Sequence, residues 1–241
     1  MAEPLVFLPG MMCDARLFGP QIAALSPDCA VTVAPVTGGD RIEEIASGLL
    51  DVLPRKFALA GLSMGGIVAM ELLRRAPERI TRLALMDTNA LAETPQTAAD
   101  YEPLIIKLKA GLLDQAVSAI MRPDYLAPGS ERATVLHTVT KMAENIGAAA
   151  ILRQARALQR RRDYQPSLRA CKVPTLVLCG EYDTLTPLRR HEHMAGIIPF
   201  AELAVIRDAG HLPTLEAPDA VTAALRAWQR QPLVLQTRAD A

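Results

Sequence analysis

Short runs dominated by apolar residues alternate along this chain with longer segments whose apolar positions recur at helical spacing. The short runs cover residues 5–8, 31–36, 57–60, 83–86, 175–179 and 203–206, and several are continuously apolar, as strands covered on both faces should be. Helical spacing marks 41–53, 65–75, 187–197 and 218–229. This alternation predicts right-handed crossovers and a parallel sheet with helices on both faces.

One interval breaks the rhythm. Residues 88–169 hold no convincing strand, only alanine- and leucine-rich stretches with helical spacing. The pattern predicts a helical cap inserted after the fourth strand, divided into about four short helices by Pro95, Pro103, Pro123, Pro128-Gly129 and Gly147. The expected organisation is a core of 1–87 and 170–231, a cap of 88–169, and a tail, 232–241, that frays beyond the last helix.

Composition narrows the class of function. Half of the 241 residues are apolar, enough for a sizeable core, which excludes disorder as the main state. Lys plus Arg and Asp plus Glu balance at 26 each, so no charge excess points to nucleic acid or an anionic membrane. A small, uncharged substrate is the expected partner. Cys13, Cys29, Cys171 and Cys179 have neither metal-ligand spacing nor the density of a disulfide scaffold, and read as reduced thiols. With no basic leader and no long apolar run, the expectation is a soluble cytoplasmic protein without a membrane span.

The candidate chemistry lies where a strand turns into a helix. Gly61-Leu62-Ser63-Met64-Gly65 follows the apolar run 57–60 and precedes a helical segment, so the serine tops a tight turn that only small neighbours tolerate. Downstream come Cys179-Gly180-Glu181-Tyr182-Asp183 and, after the last strand, Ala209-Gly210-His211. A serine hydroxyl is a poor nucleophile alone and needs a base, and the base needs a carboxylate to hold its tautomer. Asp87, at the end of the fourth strand, competes with Asp183 for that last role. Asp208 is expected to shape the turn before His211, and Glu181 to bond within its loop. His137, His191 and His193 read as surface or pocket-lining groups with no metal role.

In these motifs the chain resembles the α/β-hydrolase superfamily from about residue 5 to residue 229, and in its elbow and cap placement it is also similar to pimeloyl-carrier methyl ester esterases. Leu8-Pro9-Gly10-Met11-Met12 looks like the family's oxyanion loop, although Pro9 replaces the histidine usual before that glycine. The likeness begins at the family's third strand, which implies a reduced α/β-hydrolase fold: six strands, mostly parallel, in the order 2-1-3-4-5-6. A crevice is then expected where the direction of strand addition reverses.

The resemblance implies Ser63 as nucleophile, His211 as base, Asp183 as acid, and the backbone N–H groups of Met11 and Met64 as the oxyanion hole. It implies no cofactor and no metal. Met12, Leu104, Ile105, Leu108 and Met142 are expected to line an apolar pocket, with Leu112, Leu113 and Ile120 as further cap residues. The expected activity is a serine carboxylesterase acting on small or medium apolar acyl esters. Thioesterase, lactonase, C–C hydrolase or cofactor-free peroxidase chemistry would use the same groups, and a low-turnover ligand sensor could keep the same fold. Arg153, Arg156, Arg160, Arg161 and Arg162 read as a solvated face, with docking of an acidic acyl carrier protein as the alternative.

Overall fold

The computed structural model describes residues 3–233. The frayed tail expected over 232–241 lies almost wholly outside the described residues. Six strands form one sheet: β1 (Leu5–Leu8), β2 (Val31–Val33), β3 (Phe57–Leu62), β4 (Ile80–Met86), β5 (Thr175–Gly180) and β6 (Ala201–Ile206), in the spatial order β2-β1-β3-β4-β5-β6. Every adjacent pair is parallel. β1, β3 and β5 are buried along their whole length, which is why, apart from Thr175 at the start of β5, they carry no polar side chain.

Connections of this hand divide the helices between two faces. α1 (Gly19–Leu25) packs against the last helix, α12 (Pro218–Gln229), which also contacts β5 and β6. On the other face lie α2 (Ile42–Val52), α3 (Met64–Arg75) and α10 (Leu188–Ile197). α3 is the central helix, buried from Met64 through Leu73. Its one buried charge, Glu71, is neutralised by Arg74 at 2.7 Å and Arg75 at 2.5 Å, so the carboxylate does not face the core unpaired.

Between β4 and β5 the chain makes α4 (Pro95–Ala99), α5 (Glu102–Lys109), α6 (Leu113–Ile120), α7 (Arg132–Ile146), α8 (Ala148–Gln159) and α9 (Gln165–Arg169). The insert thus has six helices where sequence predicts about four. Pro95 and Pro103 start helices instead of separating them, because a proline in the first turn forfeits no intrahelical bond. A further break falls at Gly111, whose φ of 76° lets the chain turn between α5 and α6. α9 packs on α3 and α10, alongside the sheet. The helix α11 (Pro213–Glu216), just after the final strand, has no counterpart in the sequence pattern.

The direction of growth reverses between β1 and β3. The loops leaving the carboxyl ends of those two strands, at Pro9 to Met12 and at Ser63, therefore flank one crevice.

Candidate active site

Ser63 sits between β3 and α3 with φ 54° and ψ −116°, a conformation that costs a non-glycine residue about 1–3 kcal/mol and persists only where its surroundings enforce it. Those surroundings are mostly backbone. The Ser63 N–H donates to Met86 O at 2.9 Å, and Thr88 Oγ1 donates to Ser63 O at 2.7 Å. A β-carbon at Gly61 would collide with the carbonyl of Gly65, and one at Gly65 with the carbonyl oxygens of Leu8 and Pro9. The glycines therefore bring β1, the elbow and α3 into direct backbone contact.

From that turn a line of hydrogen bonds runs inward. Ser63 Oγ lies 3.0 Å from His211 Nε2, and His211 Nδ1 lies 2.9 Å from Asp183 Oδ2. A carboxylate only accepts, so Nδ1 carries the imidazole proton and Nε2 is left to accept from the serine hydroxyl. His211 and Asp183 are almost fully buried, whereas Ser63 is half-buried at the edge of the crevice. The Asp183 carboxylate also accepts from the Leu185 N–H at 2.8 Å, the Thr186 N–H at 2.9 Å and the Thr186 hydroxyl. Burial pushes its pKa up, but attraction to the His211 ring and these donors outweigh burial and hold the carboxyl well below the usual range.

Asp87 occupies a different environment. Its Oδ1 accepts from the Gly180 N–H at 2.8 Å and its Oδ2 has no partner among the described residues; no hydrogen bond joins it to His211. Burial, reinforced by the Asp183 carboxylate, raises its pKa well above the ordinary value. Asp87, Cys179 and His191 place potential ligand atoms within 4.8 Å of one another. Burial pushes each toward its neutral form: it raises Asp87 and Cys179 strongly and lowers His191 to about 4. His191 Nε2 already accepts from the Thr88 N–H at 3.0 Å, which occupies the lone pair a metal would need there. The trio is a buried, packed layer behind the acid loop. His191, expected at the surface or in a pocket, is fully buried, while His137 is exposed and His193 bonds Gln165.

Met11 and Met64, whose amides are expected to meet an oxyanion, both line the cavity that Ser63 faces. Met64 is the first residue of α3, where an N–H has no acceptor within its own helix, and neither it nor the Met11 N–H bonds another group among the described residues. The turn carrying Met11 is pinned by its neighbour. Met12 has φ 64°, and its N–H donates 3.1 Å to Oε1 of the buried Gln154 on α8, whose Nε2 donates to Val36 O at 3.2 Å.

The cavity before Ser63 has a volume of about 590 Å³. Met11, Met64, Ile67, Leu104, Ile120 and Leu158 give it apolar walls. Of the residues expected to line it, Leu104 does, and Ile120 with it; Ile105, Leu108, Met12 and Met142 are buried away from it in the packing between elements. Met142 instead turns its sulfur toward the Asp14 N–H, at 3.4 Å, and Leu112 is exposed.

Two residues that motif reading passes over hold the histidine loop. Glu216 on α11 accepts from the N–H groups of Gly210 at 3.0 Å and Leu212 at 2.9 Å, on either side of His211, and from Ala127 of the insert at 2.7 Å. The His211 N–H itself donates to Tyr125 O at 2.7 Å. Only the Glu that ends a single-turn helix, three residues past a Leu-Pro pair, could have hinted at this.

The arginine stripe of the insert is not continuous. Arg153 donates to Thr37 O at 3.3 Å, Arg160 pairs with Asp40 at 3.6 Å, and Arg161 turns inward to Glu93 at 2.9 Å.

Residues 5–224 match the alpha/beta hydrolase family. The chain belongs to that family. It is a hydrolase by descent. A pimeloyl-[acyl-carrier protein] methyl ester esterase from Aromatoleum aromaticum is 30% identical over 192 residues, 75% of this chain and 77% of that protein. Among solved structures, a thermophilic esterase from Thermogutta terrifontis superposes with a TM-score of 0.86 at 28% identity, covering 95% of this chain and 90% of its own. The enol-lactonase from Burkholderia xenovorans shares the fold, with a TM-score of 0.85 at 24% identity over 96% and 92% of the two chains. The described residues of this hydrolase include no helix long and apolar enough to cross a membrane.

Proposed function

We propose that this hydrolase is a serine esterase, cleaving a carboxylic ester of a small or medium acyl group through an acyl-enzyme on Ser63. The observation that carries the reading is the unbroken line from Ser63 Oγ to His211 to Asp183, opening into a cavity of about 590 Å³ with apolar walls. In the first step His211 Nε2 takes the hydroxyl proton while Oγ attacks the ester carbonyl, and the buried Asp183 stabilises the imidazolium that results. The Met11 and Met64 amides receive the oxyanion, each worth about 3 kcal/mol of transition-state stabilisation. The protonated histidine then gives its proton to the departing alkoxide. Water, deprotonated by the same nitrogen, releases the acid.

The 30% identity to a methyl ester esterase and the likeness to a solved esterase support ester substrates. The helices between β4 and β5 act as the cap, because Leu104, Ile120 and Leu158 supply cavity wall from that segment. Para-nitrophenyl esters of increasing chain length, run beside Ser63→Ala, test the reading. Turnover that vanishes in the variant and peaks at a short or medium chain is expected. Equal turnover by the variant would refute it.

A further inference from the structure

The chain carries no net charge, yet the cavity in front of Ser63 does. Its charged lining consists of Glu93, Asp100, Lys107, Arg161, Arg189 and Arg190. Arg161 and Glu93 cancel: they meet at 2.9 Å with side chains only 11% and 8% exposed, Arg161 also donates to Leu91 O, and Tyr101 donates to Glu93. Asp100 accepts one long bond, from Gln96 at 3.3 Å. The side chains of Lys107, Arg189 and Arg190 form no ion pair or hydrogen bond with any described residue. Three unpaired cations therefore face one carboxylate around a single cavity.

Their placement is not explained by the elements that carry them. Arg189 and Arg190 are the second and third residues of α10, in the first turn, where the helix dipole disfavours positive charge. No acid in that turn compensates them. One residue separates them from Thr184, Leu185, Thr186 and Pro187, which leave the Asp183 loop and also line the cavity. Lys107 comes from the insert, one turn after Leu104, which lines the same wall. Cations from two separate layers thus converge on the mouth of the reaction cavity. A cleft with walls of low dielectric focuses such a field on whatever enters it.

We propose that the ester handled at Ser63 bears a second, anionic group, a carboxylate remote from the scissile carbonyl, and that Lys107, Arg189 and Arg190 select it. The proposal rests on the esterase reading and narrows it. A planar guanidinium matches a carboxylate edge to edge, and a half-buried lysine adds a mobile third charge. The apolar wall between Ser63 and these cations would hold the methylene chain joining the two ends of the substrate. A balanced overall charge is compatible with this, because selection depends on the charges facing one cavity and not on the sum over the surface.

The test compares para-nitrophenyl hydrogen adipate with para-nitrophenyl methyl adipate, which share an acyl chain and differ by the terminal charge. At low salt kcat/KM should favour the acid by about tenfold, mostly through KM, and the advantage should shrink toward parity in about 0.5 M NaCl. In Lys107→Gln and in the Arg189→Gln/Arg190→Gln double variant, the ratio between the two esters should fall toward one. Adipate should compete with the neutral ester better than inorganic phosphate does at equal ionic strength. A neutral ester cleaved as well as the acid by the wild type at low salt would overturn the proposal while leaving the esterase reading intact, as would a ratio that survives both variants. If neither ester is cleaved and a fluorophosphonate leaves Ser63 unlabelled, the esterase reading falls and takes this proposal with it.

Discussion

Glu216 offers a direct test of how the histidine is held. One carboxylate accepts three backbone amides, from Ala127, Gly210 and Leu212, and all three of those residues are buried. Hydrogen bonds to a charged acceptor contribute about 1.5–3 kcal/mol each, and a buried donor left alone costs a similar amount. Glu216→Gln keeps the shape but turns one acceptor oxygen into a donor. Its least damaging orientation points the new NH₂ at Leu212, keeping the oxygen that serves Ala127 and Gly210. The loss is then one bond plus a donor facing a donor, about 2–4 kcal/mol of stability. Leu212 is the residue after His211, so the imidazole should shift as well, and a displacement near 1 Å can cost about a hundredfold in rate. Urea unfolding followed with steady-state hydrolysis of a chromogenic ester measures both effects. The expectation is a lower urea midpoint together with kcat reduced about tenfold to a hundredfold and KM little changed. Stability within about 0.5 kcal/mol of wild type and an unaltered kcat would refute the reasoning.

Other consequences of the geometry can be checked the same way. Asp183→Asn should lower kcat by about ten-thousandfold, by allowing the wrong imidazole tautomer, whereas Asp87→Asn should keep most activity, since Asp87 bonds the Gly180 N–H and not His211, and burial already disfavours its charge. The opposite ranking, read from initial rates on one ester, would move the acid to Asp87. His191 is buried with its pKa lowered from 6.5 to about 4, so the unfolded chain binds the extra proton first and stability falls as pH drops through that window, by about 3 kcal/mol at most. Asp87, raised in the fold, contributes a slope of opposite sign, so the measurement is the difference between wild type and His191→Asn in urea melts from pH 7 to 4; identical slopes would contradict the assignment. Gly65→Ala should fold poorly or lose more than about 3 kcal/mol, because the added carbon meets the Leu8 and Pro9 carbonyls, and a thermal midpoint close to wild type would show that the elbow can relax.

The strands were legible because burial on both faces leaves little room for polar residues, and the elbow because only glycine fits where its backbone touches β1. Strand order followed from the likeness of the motifs, not from periodicity. The insert was harder to read. Its prolines signal helix starts as readily as breaks, and its leucines divide between cavity wall and interhelical packing in a way that spacing alone does not reveal: Leu104 faces the cavity, Leu108 the packing. Gln154 and Glu216 escaped notice for a different reason. Their partners are backbone amides up to 142 positions away, and a side chain that serves another segment's main chain leaves no motif. Arg161 read as part of a solvated stripe because its counterion, Glu93, is distant in sequence. The charge of the cavity was hidden in the same way, since a sum over the chain cancels what the fold separates.

The most direct test of the central claim is intact-mass analysis of the protein quenched during turnover of a slow para-nitrophenyl ester, with the adduct mapped by proteolysis. One acyl group on Ser63 is expected in the wild type and none in Ser63→Ala, and His211→Ala should neither burst nor accumulate adduct. An adduct on another residue, or full turnover with Ser63 removed, would contradict the account.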